Sequence, residues 1–445
     1  MDPVDYLLGL ERLGIKFGLE NIGTICARLG NPQDAYRSVI VAGTNGKGSV
    51  TAMVHAALGA SGILAARYTS PHLVRLEERF AIGGRPVAGA EFRDAVGLVQ
   101  ARVEELRAEG ALSTEPTFFE VTTAVGFELF RRAGVEVAVL EVGLGGRFDA
   151  TNVATPVAGA ITTIDLDHER FLGYTIPQIA FEKAGIVKPG MTVVVGETKP
   201  EAVEVIAAAC RDRGARLVPA RDGVSSRIAM REGKPVLDLE TPRRRYGQVT
   251  VGLRGRHQAD NAIVAVRLLE ALEEAGLRVS SRAIAEGIGT PLWRGRLDLV
   301  EAGGGRRVLF DAAHNPAGAR VLGEYLREFH PQGLPIVFGV MRDKDAAGML
   351  AFLLPHATDL IVTEPPNPRA ASSASLVHLA RQLGRSDHVE TDQVPASALD
   401  RAWRHGSTVA VAGSIFLVGD LLPRVDPTLV PDPRSPIPDP LTPDP

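Results

Sequence analysis

Cysteine is almost absent from this 445-residue chain, which carries only Cys26 and Cys210. Two thiols make neither a disulfide framework nor a zinc site, and their scarcity predicts a reducing, cytoplasmic setting. Long apolar runs are missing as well. None approaches the ~18 residues that a membrane-spanning helix requires, so no membrane association is expected. No charge of one sign dominates: 49 Lys and Arg face 53 Asp and Glu, for a net charge of −4. Without a basic stripe, nucleic acid is excluded as a partner. The first residues, MDPVDYLLGLERLG, have early acids and no basic region ahead of an apolar core, so no secretory signal is expected. What remains is a globular composition, 45% hydrophobic and 23% charged, on a chain long enough for two domains.

One stretch carries most of the chemistry. In RSVIVAGTNGKGSVTAMVHAALGASG (Arg37 to Gly62), a β-branched run breaks into Gly43, Thr44, Asn45, Gly46, Lys47, Gly48 and Ser49, then resumes with a helical pattern. Strand, glycine-rich loop and helix together make a phosphate site. Glycines let backbone N–H groups converge on an anion, the helix N-terminus adds partial positive charge, and Lys47 adds a full one. The spacing departs from G-x-x-x-x-G-K-[ST]: Gly48 stands where the hydroxyl residue belongs, and Ser49 follows one place later. The usual magnesium contact is therefore to be sought elsewhere.

Candidates lie at other strand ends. Tyr6 to Leu29 reads as two amphipathic helices, residues 90–110 as another, and Thr117 to Phe130 as a further one. The apolar run VEVAVLEV ends at Glu141, ILAARYTSPHL ends near Ser70, and VAGAITTID leads to Asp165-Leu166-Asp167-His168. Alternating strands and helices imply a parallel sheet, whose ligands gather at the strands' carboxyl ends. Glu141 suits a hard cation beside phosphates; Ser70 and His168 join it from neighbouring ends. Gly143 to Gly146 lacks the third glycine and the helix of a dinucleotide fingerprint, which excludes a Rossmann NAD site. TPLWRGRLD (290–298) reads as a domain junction. A second α/β run follows, with RRVLFDAAHN, PIVFGVMRDKD, ATDLIVTEPPNP and STVAVAGSIFLVGDLL strand-like. The proline-rich residues 424–445 read as a disordered tail, and the chain has no internal repeat. The expected division is 1–292, 293–423 and that tail.

AGTNGKGSV, YTSPHLVRLEER, EVGLGGRFDATN, TTIDLDHERFLG, FEKAGIVKPG, DAAHNPAGA and AGSIFLVGDLL together resemble folylpolyglutamate synthase/dihydrofolate synthase, a branch of the Mur ligase superfamily. The resemblance runs from about Tyr6 to Leu422. It implies an α/β, Mur-ligase-like fold: a P-loop ATP-binding domain with a parallel sheet, then a smaller Rossmann-like domain. It implies ATP contacts from Gly43 to Ser49, with Lys47 on the phosphates, and from Asn261, Arg296 and Asp311. It implies two Mg²⁺ ions held by Ser70, Glu141, His168 and Lys183, the last as a carbamate derived from CO₂. Thr117, Phe119, Asp149 and Ala150 match the pterin-binding segments; His314 and Ser414 match positions near the incoming glutamate. Arg294 stands where the family usually has proline, and Phe118 where two-activity members have tyrosine.

The reaction so implied joins L-glutamate to a reduced folate, and also to dihydropteroate, through an acyl phosphate made with ATP. Lys47, Lys183 and His314 are its expected catalytic residues, and a cytoplasmic monomer its expected form. A tail-extending ligase alone is the near alternative. A cell-wall Mur ligase acting on a UDP-sugar peptide normally has Ser or Thr in place of Gly48. A nucleotide switch would not need the second domain.

Overall fold

The computed structural model describes residues 2–14 and 16–429. The apolar run Arg37–Ala42 forms β1, and its side chains divide by parity. Val39 and Val41 enter one apolar cluster, Ile40 and Ala42 another across the sheet, because successive strand residues point to opposite faces. β1 lies within an eight-stranded sheet with β2 (Ala65–Tyr68), β3 (Phe80–Ile82), β4 (Arg85–Pro86), β5 (Val137–Glu141), β6 (Ala158–Ile161), β7 (Thr192–Val195) and β8 (Arg216–Pro219). The order is β4-β3-β2-β5-β1-β6-β7-β8. The pairings from β2 to β8 are parallel, and β3 and β4 form an antiparallel edge. Helices cover both faces: Lys47–Ala60, His257–Glu274 and Ser281–Gly289 on one, and Gly89–Ala108, Phe118–Arg132 and Ile176–Ala184 among those on the other. Strands buried on both sides are what continuous Val/Ile runs provide.

In register, Val41 of β1 pairs with Glu141 of β5. The phosphate loop and Glu141 therefore leave the sheet side by side, at its carboxyl edge.

A small antiparallel sheet, β9 (Ser225–Arg231), β10 (Lys234–Glu240) and β11 (Arg245–Thr250), has no counterpart in the sequence reading. β9 is charged and largely exposed, so apolar alternation is weak there. Its turn is the pair Glu232-Gly233, both at positive φ (50° and 78°), the backbone that two-residue hairpins favour. Leu237, Leu239 and Val249 anchor it to the core beneath β1.

After residues 290–297, the chain builds a second sheet from β12 (Asp298–Gly303), β13 (Arg306–Asp311), β14 (Leu334–Phe338), β15 (Ala357–Val362), β16 (Val389–Thr391) and β17 (Thr408–Ala412). The order is β12-β13-β17-β14-β15-β16, parallel except for β12. The strand-like reading of 407–422 is corrected here. β17 stops at Ala412, Gly413 turns at φ 113°, and Ile415–Val425 is a helix whose N-cap is Ser414. The Ser414 hydroxyl accepts from the Phe416 N–H at 3.1 Å, a cap that an unbroken apolar run conceals. That helix passes the expected start of the tail at 424, and Asp426 beyond it pairs with Arg294 at 3.0 Å. The tail from residue 430 lies outside the described residues. Among the described residues, no helix is long and apolar enough to cross a membrane.

Candidate active site

The phosphate loop is braced from two sides. Gly46 caps the helix Lys47–Ala60 at φ 87°, a conformation glycine adopts at little cost. A Cβ there would also strike the Asn261 side chain. Asn261 donates to Gln258 Oε1 at 2.9 Å, and Gln258 donates to Ser49 Oγ at 3.3 Å. From the other side, Thr44 N–H donates to the Thr163 carbonyl and Thr162 Oγ1 to the Asn45 carbonyl, each at 2.6 Å. The loop's N–H groups are thus presented at a helix N-terminus, where an anion is favoured.

Two cations converge on the loop's first residue. Lys47 Nζ donates to the Gly43 and Thr44 carbonyls at 2.9 and 3.0 Å. Lys183 Nζ, from the helix Ile176–Ala184, reaches the same Gly43 carbonyl at 2.8 Å. Burial, then the charge of Lys47, brings the Lys183 amine down to about 7. Glu141, at the end of β5, accepts from Ser70 N–H at 3.4 Å. Burial pushes its carboxyl up to about 6, against the pull of Lys47 and Arg296. His168 occupies left-handed backbone (φ 51°), and burial holds its imidazole at about 4, which leaves it neutral and able to give a lone pair.

Among the described residues, no three His, Cys, Asp or Glu side chains converge as a metal cage. Ser70, Glu141 and His168 line one cavity wall as oxygen and nitrogen donors, and Mg²⁺ is usually held by few protein ligands with phosphate oxygens and water completing the set.

These groups line one cavity of about 290 Å³. All the expected site residues are on its wall except Asn261 and Asp311. Asn261 braces the loop from behind. Asp311 accepts from the Leu297 and Ala313 N–H groups, both at 2.9 Å, and so fixes the backbone that carries Arg296 and His314. The other end of the cavity is aromatic. Thr117 and Glu120 form a capping box at the helix Phe118–Arg132, Phe118 is buried in the core cluster while also lining the cavity, and Phe119 stands 6.1 Å from Tyr68, ring to ring. Asp149 accepts from Gly143 and Leu144 N–H at 2.9 Å and from Thr151 N–H and Oγ1 at 3.0 and 2.6 Å. Its carboxylate holds the Gly143–Gly146 turn in place beside Ala150.

The second sheet supplies the opposite wall through Arg296, His314 and Ser414. His314 Nδ1 lies 3.0 Å from the Ala312 carbonyl. A carbonyl only accepts, so Nδ1 carries the proton and Nε2 is an acceptor. Sequence reasoning missed the group that joins the walls. Asp167 lies 3.9 Å from Lys344 Nζ and accepts from Asn315 Nδ2 at 3.5 Å. Burial would raise its carboxyl, but His168, His314, Lys344 and Lys47 outweigh that and hold it at about 2. Its place beside His168 in DLDH was the available signal. Trp293, also on the wall, was read only as part of a junction.

The chain matches the Mur ligase middle domain over residues 41–269 and the Mur ligase glutamate ligase domain over residues 295–415. It is 31% identical over 429 residues to a dihydrofolate synthase/folylpolyglutamate synthase of Bacillus subtilis, covering 95% of this chain and 98% of that one. It is 35% identical over 439 residues to a probable bifunctional folylpolyglutamate synthase/dihydropteroate synthase of Halobacterium salinarum. There the match covers 95% of this chain but spans about half, 51%, of the relative. The crystal structure of a bifunctional folylpolyglutamate synthase/dihydrofolate synthase from Yersinia pestis, complexed with AMPPNP and Mn ion, superposes with a TM-score of 0.80 at 31% identity. That superposition covers 94% of this chain and 96% of the other.

Proposed function

The chain belongs to the Mur ligase superfamily, in its folylpolyglutamate synthase/dihydrofolate synthase branch, and on that premise we propose how its residues carry out ATP-dependent ligation of L-glutamate to a folate-type carboxylate. We assign residues 1–292 to ATP and folate binding and 293–423 to the glutamate-ligase body. The observation that carries the reading is the convergence of Lys47 and Lys183 on Gly43, at a helix N-terminus beside Glu141, in a cavity whose other end is aromatic.

Lys47 and the loop N–H groups hold the β- and γ-phosphates of ATP. The substrate carboxylate attacks the γ-phosphorus, the bond to the β-phosphate oxygen breaks, and acyl phosphate and ADP result. Little covalent work falls to the protein here; positioning and charge neutralisation dominate. The glutamate amine then attacks the acyl carbon, and the tetrahedral intermediate expels phosphate. His314 Nε2 accepts a hydrogen bond from that amine, and Arg296 faces the phosphates. Ser414 lies at the glutamate side.

Mg²⁺ at Ser70, Glu141, His168 and a carbamate on Lys183 supplies further charge neutralisation when bound. A buried amine near neutrality is suited to react with CO₂, and the product is a carboxylate-like oxygen donor. Thr117, Phe119, Asp149 and Ala150 form the pterin end, which supports dihydropteroate as a first acceptor besides reduced folates. The form we propose is a cytoplasmic monomer.

The test is ADP release measured with ATP and Mg²⁺, with and without L-glutamate and a reduced folate. Release that requires both is expected. Nucleotide turnover indifferent to the folate acceptor would overturn the assignment.

A further inference from the structure

We propose that Trp293 is a positioning residue that sets the phosphate loop and the interdomain linker against each other, and that its ring is the reason Gly48 replaces the usual hydroxyl residue. This rests on the reading of residues 43–49 as the ATP site. A Cβ on Gly48 would come within 2.7 Å of Trp293 Cε2 and 3.0 Å of Cη2, and closer still to Cζ2. Ordinary van der Waals contact between carbons begins near 3.5 Å. No side chain fits at position 48 while the indole is there.

The indole is itself held. The Arg67 guanidinium lies over its ring, 5.1 Å from the centroid, and Arg67 Nη1 donates to the Leu292 carbonyl at 3.1 Å. Arg67 is buried on β2, three residues before Ser70. The linker after Trp293 is tied to the second sheet. Arg294 pairs with Asp298 at 2.6 Å and with Asp426 at 3.0 Å, and the Gly295 carbonyl accepts from Ala312 N–H at 2.9 Å. Arg296, three residues past Trp293, is on the cavity wall. The indole thus stands between the loop that takes the phosphates and the backbone that presents Arg296. A shift of the loop displaces the ring, and the ring displaces the linker. Interiors are close-packed, so such shifts pass on rather than dissipate.

The chain has two tryptophans, so Trp403→Phe leaves Trp293 as the one indole reporter. ADP titrated into that protein with Mg²⁺ is expected to change Trp293 emission saturably, with a midpoint matching the affinity from calorimetry. In kinetics, Gly48→Ser is expected to lower kcat/KM for ATP by about 10²-fold, the scale of an ångström-sized misplacement. Adding Trp293→Ala makes room for the hydroxymethyl group and is expected to return at least a tenth of wild-type kcat/KM. Gly48→Ala, which adds only the Cβ, serves in the same pair if the serine variant fails to fold by circular dichroism. ADP that binds by calorimetry without altering Trp293 emission would overturn the coupling. So would a double variant no better than its Gly48 parent. Failure of ADP to bind at all would instead remove the ATP-site reading, and the inference with it.

Discussion

The ammonium of Lys183 sits 2.8 Å from the carbonyl oxygen of Gly43, the residue that opens the phosphate loop. A helix 140 positions away in sequence thereby places its amine beside Lys47, and burial with that second cation brings Lys183 down to about 7. The sign of the pH dependence follows. Above about pH 7 the amine is neutral, its lone pair forms an N–C bond to CO₂, and a proton leaves. Below that pH the ammonium has no lone pair to give. Carbamate and activity should therefore rise together through neutrality, and enzyme prepared free of CO₂ at pH 6 should recover when bicarbonate is added at pH 8. The readout is a ¹³C carbamate resonance from labelled bicarbonate, lost in Lys183→Ala, whose activity acetate should partly rescue. A wild-type protein at pH 8 without that resonance would refute the carbamate.

Among the described residues, the Lys47 side chain bonds to two backbone carbonyls of its own loop, so removing it spares the core. Lys47→Ala should keep its circular dichroism and lose turnover by ~10²-fold or more, the scale of one preorganised charge on a developing oxyanion. Near-normal turnover would undo the site assignment.

Much of this was legible in the sequence because it is local. Val39 to Val41 alternate between two cores as any strand must, and the loop after them could hold little but an anion. Glu141 was legible as a strand end, whereas the strand read as running to Asp165 stops at Ile161 and His168 caps the helix Glu169–Leu172. What stayed hidden depended on pairs distant in the chain. Asp167 gains its role only once Lys344 and Asn315 fold against it, and Gly48 is explained only by the ring of Trp293. β9 to β11 were hidden because charged, half-exposed strands lack the alternation that marks a buried face. Ser414 was named near the glutamate, but its role as the cap of the helix Ile415–Val425 was masked by the apolar letters around it.

The contact of Asp167 with Lys344 and Asn315 joins the two sheets' walls. A partly buried ion pair of 3.9 Å is worth about 1 kcal/mol, roughly a fivefold change in a two-state ratio. On the proposed placement of the glutamate at His314 and Ser414, Lys344→Ala should accordingly raise the KM for L-glutamate severalfold. Small-angle scattering with ADP bound should give a larger radius of gyration than wild type. An unchanged radius and KM would show that this pair does not hold the domains.

The remaining prediction concerns the first glutamate. Both phenylalanines opening the helix Phe118–Arg132 line the cavity; Phe118 is the more buried, with the Arg79 guanidinium 5.3 Å from its ring centroid. Phe119 lies on the cavity wall over Gly143, where a Cβ would come within 2.5 Å of its ring. Glycine at 143 thus lets the ring lie close to the turn that Asp149 fixes, and an aromatic face so placed suits a flat pterin. The purified protein should therefore ligate L-glutamate to 7,8-dihydropteroate as well as extend tetrahydrofolate. Phe119→Ala should raise the KM for dihydropteroate by roughly tenfold, about 1.4 kcal/mol of stacking and burial. The KM for ATP should hardly move, since the phosphate loop lies at the other end of the cavity. If tetrahydrofolate is extended while dihydropteroate is left untouched, the pterin end serves only substrates that already carry a glutamate, and the enzyme is a tail-extending ligase alone.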